Sequence, residues 1–186
     1  MRLLLVFTAL LVLSGELFAN SRERLQEAGF AVSHTLEQSS LQRKNQSVLN
    51  YLWMDVYAAA FYAPAQASAS QAAAKPLTQR LELYYFRTID SQDVIKAAWV
   101  TLERQHDTAT LERLRPKVDA LHATFRDIRP GDRYALNLST DSGLSLEVNN
   151  KVTYVSQDPE LAKAYLGIWL APNGLSDKLR ASLLAD

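Results

Sequence analysis

"RPGDRYALNLSTDSGLSLEVNNKVTYVS", residues 129–156, decides the fold. It reads as strand, turn, strand, turn, strand. Asp141-Ser142-Gly143 and Asn149-Asn150 are the turn residues, types that tolerate a left-handed backbone or bond their own main chain. Strands joined by connections this short pair antiparallel. A three-stranded meander is therefore the anchor from which the rest of the chain is read.

Working back towards the N-terminus, the period changes. "TIDSQDVIKAAWVTLERQ" carries Val94, Ile95, Ala98 and Leu102 at helical spacing, with Asp90 or Ser91 available as N-cap. Asp90 and Asp93 read as a capping pair at this helix start. "TATLERLRPKVDALHATFRDI" repeats the helical pattern with Leu111, Leu114, Val118, Leu121 and Phe125. Pro116 removes one backbone donor, so a break or kink is expected there. Earlier still, "QRLELYYFR" (79–87) alternates Leu81, Leu83 and Tyr85 against Glu82, Tyr84 and Phe86, the mark of a strand. Residues 65–76 are small and polar, a surface helix or a loose crossing. Residues 41–64, ending in "YLWMDVYAAAFYAP", read as one long strand, bent in the middle and stopped at Pro64. "FAVSHTLEQ" (30–38) alternates as a strand, and "SRERLQEAG" (21–29) is a polar lead-in ended at Gly29.

After the meander, "DPELAKAYLGIWLAPNG" (158–174) is a helix with Asp158 as N-cap and Pro159 at the first helical position. Its apolar face is Leu161, Tyr165, Ile168 and Trp169. "LSDKLRASLLA" closes with a short helix. Strands, helices, meander and helices in that order predict an α+β fold with a large antiparallel sheet and helices packed on it. No Gly-rich loop follows a strand, so a dinucleotide fold is excluded.

Lys+Arg and Asp+Glu both number 20, so the formal charge is zero. No basic run stands out, and nucleic acid is not an expected partner, because phosphate binding needs clustered cations. The absence of cysteine rules out disulfides and thiolate chemistry. The N-terminus "MRLLLVFTALLVLSGELFAN" sets one cation, Arg2, before an apolar run from Leu3 to Leu13. Such a run spans only ~16 Å as a helix, against ~30 Å for a hydrocarbon core. It reads as a signal peptide over residues 1–19, with cleavage after Ala19 or, alternatively, after Gly15. A single domain over 20–186 in the periplasm or outside the cell is then expected, with no integral membrane span after cleavage.

The chemistry-bearing residues are few. The histidines are His34, His106 and His122, and none stands at i, i+4 from another. His122 lies beside Leu121 and Phe125 and reads as a core histidine. No G-x-S-x-G or S-x-x-K context appears. Asp55, in the apolar stretch 51–64, reads either as half-buried and bonded to a phenol or as a solvated edge acid. Arg87 is placed to pair with Asp90, and Arg43 stays open.

Three segments together resemble the chalcone isomerase-like family. "WMDVYAAAFYAP" resembles its strand ending in Val-Tyr, small residues and Tyr. "RPGDRYALNLSTDSGLSLEVNNK" resembles its Gly-Asp and Asn-turn segment. "AKAYLGIWLAP" with "SDKLRASLLA" resembles its terminal helices, with Ala171 where Gly is common. The resemblance runs from Phe30 to Ala185 and is closest to exported bacterial members. It implies an open-faced β-sandwich, a large antiparallel sheet with helices on one face and a ligand cleft between them.

The family's plant isomerases close a flavanone ring with an arginine, two hydroxyl residues, a tyrosine and an asparagine. Here Arg43 lacks the flanking glycines, and Leu52 stands where the resemblance puts a threonine. No Tyr lies between Tyr85 and Tyr134, and no Asn between Asn50 and Asn137. The resemblance therefore implies a scaffold without most of the catalytic polar set, and no catalytic residue is assigned. The expected ligand is a small apolar or amphiphilic molecule such as a fatty acid, with no cofactor. Leu52, Met54 and Val56 would form one wall, faced by Val94, Ile95 and Ala98, with Arg43 as head-group partner. The alternatives are an intramolecular lyase or isomerase with a changed polar set, using Asp55 or a tyrosine, and a haem-binding variant using one histidine. A filled core with no site is the remaining alternative.

Overall fold

The computed structural model describes residues 21–186. The signal-peptide reading lies outside them. Among the described residues no helix is long and apolar enough to cross a membrane.

Seven strands form one antiparallel sheet in sequence order: β1 (Ser33–Leu36), β2 (Ser39–Tyr51), β3 (Met54–Pro64), β4 (Gln79–Tyr85), β5 (Arg133–Ser139), β6 (Gly143–Val148) and β7 (Lys151–Ser156). The helices are α1 (21–28), α2 (Ala69–Ala74), α3 (Ser91–Gln105), α4 (Thr108–His122), α5 (Pro159–Leu170) and α6 (Asp177–Leu183). The α+β architecture expected from the sequence is the one observed.

The meander turns behave as their residues predict. Asn149 and Asn150 both take left-handed conformations, with φ of 51° and 64°. Gly143 has φ 82°, and a Cβ there would collide with the Ser156 carbonyl, so glycine is required on both counts. The stretch 41–64 corrects the reading. It is not one bent strand but a hairpin, turned at Leu52-Trp53 with φ of 46° and 62°. Neither side chain carries a turn signal, so the type of residue hides the turn. Pro116 does not break the helix, because α4 runs on through it. Leu114, Val118 and Leu121 are fully buried on either side of the proline. Their packing outweighs one missing backbone bond.

Strand alternation gives the sheet two different faces. The helix-side face carries Tyr57, Ala59, Phe61, Leu81, Leu83, Tyr134, Leu136, Leu144 and Leu146, which pack with α3, α4, α5 and α6. The outer face carries Ala58, Ala60 and Tyr62, covered by Ala28 and Leu25 of α1 and by Phe30. The polar lead-in is thus a helix that covers part of the second face.

Beside that small cluster the outer face holds a buried ion network. Arg80 Nε donates to Glu82 Oε2 at 3.0 Å, and Arg80 Nη1 donates to Asn137 Oδ1 at 2.8 Å and Glu147 Oε2 at 2.9 Å. Arg133 donates to Glu82 and, at 2.6 Å, to the Ala28 carbonyl. Glu82 is 2% exposed and Arg80 6%. Burial works to raise the Glu82 pKa, but Arg80 and Arg133 outweigh it and hold the carboxyl below its usual range.

Candidate functional site

Between the helix-side face of the sheet and helices α3 and α5 lies a cavity of about 720 Å³. Its floor is Leu81, Leu83 and Tyr85 of β4, flanked by Val56 and Tyr57 of β3, Tyr134 and Leu136 of β5, and Leu146 of β6. Its roof is Val94, Ala97 and Ala98 of α3, Tyr165, Ile168 and Trp169 of α5, and Phe125 and Ile128 from the loop after α4. Leu49, Asn50, Tyr51, Met54, Asp93 and Ser176 line its rim, where Tyr51 is 65% exposed and Met54 41%. The space exists because α3 presents Ala97 and Ala98 to the sheet; larger side chains there would reach the floor. Among the described lining residues there is no Lys, Arg or His, and Asp93 is the one charged group.

A β-bulge sets the wall next to the rim. Leu49 pairs with Tyr57 and Asn50 with Asp55, which leaves Val56 as the extra residue in β3. Strict alternation would send Val56 and Tyr57 to opposite faces. The bulge turns both into the cavity and sends Asp55 to the outer side. There Asp55 is 8% exposed and accepts from Arg24 Nε at 3.0 Å and from Asn50 Nδ2. It does not line the cavity, and its partners include a guanidinium and an amide.

The structure brings together four of the residues expected at the site: Met54, Val56, Val94 and Ala98 all line the cavity. Three others lie elsewhere. Leu52 sits at the hairpin tip, 62% exposed, because the chain turns there instead of running on. Ile95 is half-buried on α3 but outside the lining, one step around the helix from Val94. Arg43 leaves the cavity altogether. Its Nη1 donates to the Phe30 carbonyl at 2.6 Å and to the Ala31 carbonyl at 3.4 Å, which pins the chain after α1. Arg87 also differs from its expected pairing, since its Nε donates to the Asp55 carbonyl at 3.1 Å. The expected cap at Asp90 makes no side-chain bond; Asp127 accepts from Ser91 N at 3.0 Å in its place.

Among the residues that sequence reasoning missed are the aromatic ones. Tyr57, Tyr85, Tyr134, Tyr165 and Trp169 all line the cavity. Tyr85 shares its stripe with Leu81 and Leu83, and Tyr165 and Trp169 share the apolar face of α5, so alternation and helical spacing held the signal. Tyr57 was hidden by the bulge. Trp169 Nε1 donates to Tyr57 Oη at 2.9 Å, and His122 Nε2 lies 3.0 Å from Tyr165 Oη. Tyr134 Oη reaches the Arg126 carbonyl at 3.5 Å. The Tyr85 hydroxyl has no hydrogen-bond partner among the described residues.

Burial pushes the phenols of Tyr57, Tyr85, Tyr134 and Tyr165 above their ordinary range, so all four stay protonated at neutral pH. Burial pushes His122 down to about 4, so it is neutral there. His122 is the core histidine the sequence predicts. None of the three histidines lines the cavity, which leaves a haem in it without a histidine ligand. The cavity can therefore enclose apolar surface and offer hydrogen bonds from neutral phenols. Its described wall offers no cation.

No curated protein matches the chain by sequence. A fatty-acid binding protein of Arabidopsis thaliana, known from its crystal structure, superimposes with a TM-score of 0.59 at 12% identity, over 83% of this chain and 90% of that one. That likeness establishes a shared fold. The profile of the chalcone isomerase-like family matches residues 22–185, and the chain belongs to that family.

Proposed function

We propose that this protein binds a small, largely apolar or amphiphilic molecule, such as a fatty acid, in the cavity between sheet and helices, without turning it over. The observation that carries the reading is the cavity itself. Its volume of about 720 Å³ falls within the ~300–1,000 Å³ typical of small-molecule pockets, and its wall is apolar with a few placed polar groups. Each ligand CH₂ removed from water contributes ~0.8 kcal/mol, so an alkyl chain gains affinity without a charged partner. The fold shared with a plant fatty-acid binding protein supports the same class of ligand.

The test is a displacement titration with fatty acids of increasing chain length. Wild type is expected to bind with an optimum length. Ala98→Phe, which projects into the cavity, is expected to weaken binding at least tenfold, and Leu52→Trp at the exposed tip to leave it unchanged. No binding at any length sinks the proposal. Chalcone ring closure is expected to stay at the rate of a blank, because the expected site arginine, Arg43, is committed to backbone carbonyls away from the cavity. Export rests on the N-terminal pattern alone, and intact-mass analysis of a periplasmic extract checks it: a mature species retaining Met1–Leu13 would refute it.

A further inference from the structure

The phenols in the cavity differ in what their protons have left to do. The indole N–H of Trp169 can only donate, so Tyr57 Oη is the acceptor in that pair and its own proton is unspent. The second pair depends on the tautomer of neutral His122. Its Nδ1 is buried with no partner. A proton on Nδ1 would leave an orphaned buried N–H, whereas a lone pair there without a donor is the smaller loss. The proton therefore sits on Nε2 and is donated to Tyr165 Oη, at 3.0 Å. Tyr165, like Tyr57, then accepts from a ring N–H and keeps its own proton to give. Accepting such a bond polarises the hydroxyl and strengthens it as a donor. Tyr85 carries the third hydroxyl, with no partner among the described residues. Its ring lies 5.3 Å from that of Tyr57, and Tyr57 and Tyr165 are both within electrostatic reach of its hydroxyl. All three residues are at most 5% exposed and line one cavity.

The cavity thus presents donors, with no Lys, Arg or His in its described wall. A carboxylate drawn in among these phenols without a cation carries a heavy desolvation cost, so a fatty acid would have to leave its carboxylate in water at the rim. A neutral acceptor oxygen carries no such cost. Resting on the reading that this cavity binds an apolar molecule, we propose that the ligand's polar group is a carbonyl oxygen, of a ketone, aldehyde or ester, received by the hydroxyls of Tyr57, Tyr85 and Tyr165.

Competition titrations at pH 7 against a neutral fluorescent probe, with 2-decanone, decane and decanoate, test this. The ketone is expected to bind tightest. Tyr57→Phe and Tyr85→Phe are each expected to weaken the ketone by roughly two- to tenfold, the range for one hydrogen bond, and to leave decane within twofold. Decane binding by each variant shows that its cavity has formed. Infrared spectra of carbonyl-labelled 2-decanone give a readout that packing does not move. Bound to wild type, its carbonyl stretch is expected below the value in hexane, and to shift back in the Tyr57→Phe, Tyr85→Phe double variant. Equal binding of ketone and decane, a stretch at the hexane value in wild type, or decanoate as the tightest ligand overturns the carbonyl proposal while the binding reading stands. Failure of all three molecules to bind overturns both.

Discussion

The two faces of one sheet treat polar groups in opposite ways. On the outer face Arg80, Glu82, Arg133, Asn137 and Glu147 bond one another, and α1 covers part of that face. On the helix side buried phenols stand around open space, and the Tyr85 hydroxyl has no hydrogen-bond partner among the described residues. Both patterns come from the same alternation along β4, where Arg80 and Glu82 point one way and Leu81, Leu83 and Tyr85 the other. The difference teaches how to separate structure from site. Where each polar atom is spent on a neighbour, the residues hold the fold; where protons are left over beside a cavity, they are available to a ligand.

The largest expected effect breaks the outer face. Glu82→Gln removes the anion shared by Arg80 and Arg133, and removing one partner of a buried pair typically costs about 3–5 kcal/mol. Urea unfolding is expected to show a loss of that size, with the cavity's ligand affinity unchanged in the folded fraction. A loss below about 1 kcal/mol would mean that the network is solvated rather than buried.

Next in size is an effect of acid on the helix side. His122 has a folded pKa of about 4, below the ~6.5 of the unfolded chain. Its neutral burial therefore stabilises fully above pH 6.5, and that contribution is lost as pH falls towards 4, by about 3 kcal/mol over the window. Burial and Arg80 also lower the His34 pKa, which adds a loss of the same sign. Thermal melts from pH 7.5 to pH 4.5 are expected to fall, and His122→Phe to flatten the slope. An unchanged slope would place the acid sensitivity elsewhere. Glu82, held below its usual range, adds its own loss only at lower pH, as the carboxyl takes up its proton.

The smallest effect sharpens the contrast. Arg43→Ala loses bonds to the Phe30 and Ala31 carbonyls on the outer side. It is expected to lower stability by about 1 kcal/mol and leave fatty-acid affinity within twofold. A tenfold loss of affinity would return Arg43 to the site.

Much of this was legible from the chain. The alternation of Leu81, Leu83 and Tyr85, the Asn149-Asn150 turn and the helical spacing of Val94 and Ala98 each led to the element observed. The hairpin at Leu52-Trp53 was not, because two bulky residues in left-handed backbone break the usual rule for turns. With the turn in that place, Leu52 does not reach the wall that an unbroken strand would give it. The bulge at Val56 was equally hidden, since period two carries no sign of an inserted residue. Asp55 and Tyr57, which strict alternation puts on one face, therefore lie on opposite faces, with Tyr57 turned into the cavity. Arg43, expected as head-group partner, holds the chain after α1 instead, and one strand does not tell what covers its far side. Nor could apolar spacing distinguish a lined cavity from a filled core; Ala97 and Ala98 hinted at room, and the packing of α3 on the sheet leaves it.

We propose above all that the helix-side cavity holds an apolar ligand. Native mass spectrometry of wild type and Ala98→Phe, both purified from the natural host without detergent, tests it most directly. The account predicts that wild type carries a small-molecule adduct released on denaturation, and that Ala98→Phe, folded by circular dichroism, carries little or none. The same adduct at the same occupancy on both proteins, or none on either, would contradict it.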